Sequence, residues 1–149
     1  MSTLKKFLKK KKYISIPLAL TATNHFEIEA KINSIKGRFI LDTGASNTCI
    51  GMDRIEHFKL ISEESKIKAA GAGATNMETL VSKKNTIDFK SWRYKKLKIV
   101  LFDLKHVNEA LIAHNAEPVD GIIGADILKK SKAIIDYNKK YIYLKNKKR

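Results

Sequence analysis

The chain has 149 residues, 30 Lys plus Arg against 15 Asp plus Glu, and a single cysteine. A length of this size is one compact domain, since domains cluster around ~100–150 residues and such a core needs no disulfide or metal staple. One cysteine cannot close an internal disulfide, so a secreted disulfide framework and a cysteine-rich zinc module are both excluded.

The formal charge of +15 is unevenly placed. Residues 1–12 hold six lysines and residues 139–149 six more bases, with no acid in either stretch. Of the 30 bases, removing those 12 leaves 18 against all 15 acids, a balance of only +3 for residues 13–138. The field of the ends suits a nucleic acid or an anionic surface. The near-neutral middle argues against either as the main partner. We read residues 1–12 as a basic, disordered tail, 13–144 as the folded domain and 145–149 as a second basic tail.

The lysine run followed by the apolar stretch 14–22 has the outline of a short signal peptide. Pro17 interrupts it, and Ile14, Ile16, Leu18 and Leu20 alternate with Ser15, Pro17 and Ala19, the mark of a strand with one buried face. A first strand and a cytoplasmic location are therefore expected, with a cleaved signal and a periplasmic location as the alternative. No segment approaches the ~20 apolar residues of a membrane span.

Phe26, Ile28, Ala30 and Ile32 alternate with charged residues in a second strand, and a turn over residues 33–37 returns the chain into Arg38, Phe39, Ile40 and Leu41. A helical turn is expected over 53–57. The small, glycine-bearing stretch 67–76 reads as a hairpin, because Gly71 and Gly73 weaken helix. Residues 86–101 supply further strands, and 107–114 a short helix. Ile122 and Ile123 lie between Gly121 and Gly124, giving strand, tight corner and then a helix over 125–130. A hairpin from Ala133 to Leu144 closes the chain. Strands at these spacings suit a small barrel or sandwich.

The sharpest local feature is the sequence RFILDTGASNTCI at residues 38–50. An aspartate placed directly after a strand is prone to desolvation, which is costly unless the carboxylate is paired or hydrogen-bonded. Taken alone, Asp42-Thr43-Gly44 also reads as an Asx turn leaving a strand.

The ordered set of Asp42-Thr43-Gly44-Ala45, the Gly71/Gly73 hairpin, Ile122-Ile123-Gly124 opening a helix, and a final hairpin resembles the single-domain retropepsin-like aspartic proteases. The resemblance covers residues 13–144. It implies an all-β fold, a small closed barrel of the acid protease type with one short helix near the C-terminus. It also implies an aspartic endopeptidase acting as a homodimer on a peptide or protein, with Asp42 as the catalytic residue. Thr43, Gly44 and Ala45 would complete the active-site loop. Ala70, Gly71, Ala72, Gly73 and Ala74 would form the flap over the substrate, and Ile122, Ile123 and Gly124 would brace the loop. Pepsin-like chains carry two Asp-Thr/Ser-Gly loops, whereas this one carries a single copy, so the second carboxylate must come from a second chain. Ala45 cannot donate the hydrogen bond that a Ser or Thr would give to an ionised carboxylate, which implies a pH optimum less acidic than a pepsin's.

No metal and no cofactor is expected. The four histidines lack ligand spacing, and Cys49 reads as a buried small residue. Trp92 and Tyr94 alternate with bases, a pattern that fits stacking on a nucleic acid but more often marks a half-exposed strand. The alternative function is a catalytically weak retropepsin-like binding or dimerisation module, with nucleic-acid or anionic-surface affinity through the basic ends.

Overall fold

The computed structural model describes residues 3–64, 69–71, 74–77 and 79–146. In chain order the elements are α1 (Leu4–Lys10), β1 (Tyr13–Pro17), β2 (Ala19–Leu20), β3 (Phe26–Ile32), β4 (Ile35–Leu41) and β5 (Cys49–Gly51). A 3-10 turn at Met52–Arg54 precedes β6 (Glu63–Glu64), β7 (Ala69–Gly71), β8 (Ala74–Met77), β9 (Leu80–Phe89) and β10 (Trp92–Phe102). Then come α2 (Lys105–Ala113), β11 (Gly121–Ile123), α3 (Ala125–Lys130), β12 (Ile134–Asp136) and β13 (Tyr141–Lys145).

Six strands close a barrel in the order β3, β4, β11, β5, β10, β9, with β9 returning to β3 through Lys31 opposite Asp88 and Ile32 opposite Ile87. The expected alternation is what drives β3: Phe26, Ile28, Ala30 and Ile32 are buried, while Glu29 and Lys31 face water. Inward side chains from all six strands meet α3 in one core, with Ile32, Phe39, Ile50, Ile99, Leu101 and Ile123 fully buried. Each such side chain contributes roughly 1.5–3 kcal/mol by leaving water. A smaller cluster of Ile40, Leu111 and Val119 packs α2 against the outside of the barrel.

The turn between β3 and β4 is tighter than the 33–37 span read from the sequence. Only Asn33 and Ser34 turn, both at positive φ (51° and 71°), and Ile32 pairs with Ile35. Asn tolerates this left-handed conformation, and its side chain repays the strain by bonding Phe58 O at 2.9 Å and Asn85 Oδ1 at 3.0 Å.

The ends differ from the tails expected. Residues 4–10 form a helix, because the Thr3 hydroxyl caps it by accepting from the Lys6 amide at 3.2 Å and Leu8 packs inward at 4% exposure. Lys145 is the last residue of β13, opposite Tyr13 of β1. The two ends thus share one three-stranded sheet, β1–β13–β12, in which both edges of β13 are paired within the chain. Among the described residues the fold therefore carries three α-helices rather than one, on an otherwise β framework. Among the described residues no helix is long and apolar enough to cross a membrane.

Candidate active site

Asp42 follows β4 at the point where that strand runs parallel to β11, with Leu41 opposite Ile123. The Asp42 amide donates to Ile123 O at 3.0 Å, so β11 fixes where the loop leaves the barrel. The loop then turns on its own aspartate: Gly44 N donates to Asp42 Oδ1 at 2.9 Å, and Ala45 N to Asp42 O at 3.2 Å. This is an Asx turn, and it leaves Asp42 half-buried with Thr43 and Gly44 exposed. The amide that makes the turn thus also orients the carboxylate.

The second loop supports the first from behind. β11 is wedged between β4 and β5, and this needs glycine at Gly121, where a Cβ would lie 2.1 Å from Cys49 O. At Gly124 a Cβ would meet Asn47 O at 2.7 Å and Ala45 O at 2.8 Å. The loop carbonyl of Ala45 instead accepts from Ala125 N at 2.7 Å. Ile122 and Ile123 brace in opposite directions: Ile123 is fully buried in the barrel core, and Ile122 packs on the outer cluster of Ile40, Leu111 and Val119.

Thr48 and Asp126 complete the support. Thr48 is fully buried, and its amide and hydroxyl donate to Asp126 Oδ2 and Oδ1 at 3.0 and 2.8 Å. The same hydroxyl accepts from Gly124 N at 3.2 Å, and Asp126 Oδ1 also accepts from Ile127 N at 2.8 Å. A carboxylate in the first turn of α3 is thereby tied to the far side of the Asp42 loop. Sequence reasoning missed this pair, whose members stand 78 residues apart. The available signal was a second Thr at the end of a polar loop and an Asp just after a helix-opening glycine.

A model of the aspartyl protease family matches residues 28–127, a span that runs from β3 through Asp42 and the β11 glycines to α3. The chain belongs to that family. Among solved structures it is similar to a retropepsin-like aspartic protease from Rickettsia conorii (20% identity, 89% of each chain covered, TM-score 0.55). It is also similar to EIAV protease complexed with the inhibitor HBY-793 (23% identity, 74% of this chain and 90% of that one, TM-score 0.54). The retroviral protease-like domain of Ddi1 from Leishmania major aligns as well (14% identity, 90% and 91% covered, TM-score 0.52). At these identities the structural matches bear on fold, and the fold is retropepsin-like. No match is found among curated proteins.

Within this aspartyl protease framework Asp120 and Asp136 are engaged elsewhere. Asp120 accepts from Arg38 N at 2.9 Å and faces Arg54 Nε at 2.8 Å, while Asp136 accepts from Lys139 N at 3.0 Å in the last turn. Cys49 lies close enough to the loop to feel it: burial, then the charges of Asp126 and Asp42, push its thiol up to about 12. Trp92 is a core residue at 1% exposure, with Nε1 donating to Lys145 O at 3.1 Å, so it offers no stacking face.

The segment expected to form the flap holds a two-stranded hairpin, β7 with β8, in which Ala69 pairs with Met77 and Gly71 with Ala74. Ala72 and Gly73 lie outside the described residues. Among the described residues no group of three His, Cys, Asp or Glu side chains could hold a metal ion.

Proposed function

We propose that the protein is an aspartic endopeptidase that works as a homodimer, hydrolysing peptide bonds through a water held between two Asp42 carboxylates. One observation carries this reading. Asp42 is a half-buried carboxylate oriented by the backbone of its own loop, in a chain with a single Asp-Thr-Gly sequence. Acid proteolysis needs two carboxylates about ~3 Å apart sharing one proton. The engagement of Asp120, Asp126 and Asp136 in the framework supports taking the second from another copy across a two-fold axis.

The ionised Asp42 of the pair takes a proton from the water, whose oxygen attacks the scissile carbonyl carbon. The protonated Asp42 donates a hydrogen bond to the carbonyl oxygen. A proton then passes to the leaving nitrogen as the C–N bond breaks. In this scheme Thr43 links the two loops, Gly44 and Ala45 line the approach of substrate, and the β7–β8 hairpin covers it.

Two copies bring two sets of basic ends into one assembly, screened only beyond ~8–10 Å at physiological salt. The dimer is therefore expected to weaken at low salt, read by sedimentation. Asp42→Asn tests the function. It should abolish cleavage of a peptide library between pH 3 and 7 while leaving fold and dimer intact, and equal cleavage by wild type and variant would refute the reading.

A further inference from the structure

We propose that α1 docks this protein onto an anionic lipid bilayer. The helix is fixed to the body of the protein on one side. Leu8 points inward at 4% exposure, and Lys5 Nζ stands 4.8 Å from the ring centre of Tyr141. Flanking Leu8 toward solvent, the helix carries what a buried helix would hide: Leu4 and Phe7, three residues apart on neighbouring positions, are 45% and 51% exposed. Lys10 stands three residues on from Phe7, with Lys6 one turn before it, and Lys11 Nζ lies 5.6 Å from the Phe7 ring. The first acid in the chain is Glu27.

The C-terminal strand adds to this field. Asn146 N donates to Lys12 O at 2.9 Å, and Tyr13 pairs with Lys145, so Lys145 joins the lysines that lead into β1. The groove of about 340 Å³ between α1 and β1, lined by Lys5, Lys9, Lys12, Ser15, Tyr143 and Asn146 among others, contains no acid. Two exposed apolar side chains set among lysines are the chemistry of a helix lying in a headgroup layer, apolar groups dipping toward the acyl chains and ammonium groups at the phosphates.

A nucleic acid fits the same charge less well. Leu4 has no use there, and the rings of Tyr13 and Tyr141 are already approached by Lys145 (5.7 Å) and Lys5 (4.8 Å). A second copy of the chain would set lysines against lysines.

The test is flotation of the full chain with phosphatidylcholine vesicles, with and without about one-third phosphatidylglycerol, at roughly 0.05 and 0.5 M salt. Binding should require the anionic lipid and fall away at high salt. A Leu4→Ser/Phe7→Ser variant should bind roughly tenfold more weakly with its circular dichroism unchanged, since Leu8 is untouched. Lys6→Gln/Lys10→Gln should lose roughly fivefold per lysine. Three outcomes would overturn the proposal: no vesicle binding by wild type, equal vesicle binding by the Leu4/Phe7 variant, or vesicle-independent sedimentation changes in that variant, which would assign the face to a copy of the chain. A single-stranded oligonucleotide bound by both proteins, with vesicles bound by neither, would assign the charge to nucleic acid instead.

Discussion

Thr48 grips both oxygens of Asp126, with its amide on Oδ2 at 3.0 Å and its hydroxyl on Oδ1 at 2.8 Å. Thr48 keeps the methyl-sized bulk in Thr48→Val but loses the hydroxyl, which also accepts from Gly124 N. Because the site is fully buried, the substitution should cost about 2 kcal/mol in denaturant unfolding. Asp126→Asn should cost a similar amount, since its amide group would turn a donor toward one of the two Thr48 donors. Unchanged stability in both variants would show that the pair does not hold the loop.

A linked two-copy chain separates the shared-proton scheme from a mechanism in which each copy acts alone. With Asp42→Asn in one copy only, activity should fall by roughly 10²–10⁴-fold, the usual worth of a positioned acid or base. Retention of half the activity would point to independent sites.

Gly121→Ala places a methyl 2.1 Å from the Cys49 carbonyl oxygen, which is backbone and cannot move aside without opening the β5–β11 pairing. We expect a loss of about 3 kcal/mol and a matching fall in midpoint on chemical denaturation. At Gly37 a Cβ would meet the end of the Phe58 ring at 2.7 Å, a side chain rather than backbone, so Gly37→Ala should cost less.

The Cys49 thiol, pushed up to about 12 by burial and then by Asp126 and Asp42, should resist alkylation. At pH 8.5 its thiolate fraction is roughly a thousandfold below that of a free cysteine, so iodoacetamide should modify native protein far more slowly than unfolded protein. The folded state keeps this proton above the ordinary thiol range while the unfolded state releases it. Stability therefore falls as pH climbs from about 9 toward 12, and Cys49→Ala should flatten that fall. Comparable alkylation rates for folded and unfolded chains would contradict this placement.

The barrel was legible in the sequence wherever one face of a strand is buried. The alternation in β3 and the apolar run into Asp42 mark elements whose register is set by local pattern. Glycine placement likewise exposed the β11 corner. What escaped was either non-local or made by context. No local rule connects Thr48 to Asp126, and α1 reads as a solvated lysine run because its helicity depends on a single inward leucine, a Thr3 cap and a sheet formed by the opposite end of the chain. Asp42 could be picked out because its turn is built from neighbours in sequence. Ile123 and Gly124 behind it were marked by their glycine-flanked run, whereas Thr48 and Asp126 were not.

The sheet β1–β13–β12 has a consequence for assembly. Both edges of β13 are filled by strands of the same chain, so folding does not wait for a partner to complete it. For the homodimer proposed above, association and folding would then be separable equilibria, unlike those of an obligate dimer with no stable monomer. In the proposed dimer, dilution should extinguish proteolysis and lower the melting temperature only to that of a monomer that still unfolds cooperatively, so that crowding copies together would switch cleavage on without making more of the folded protein.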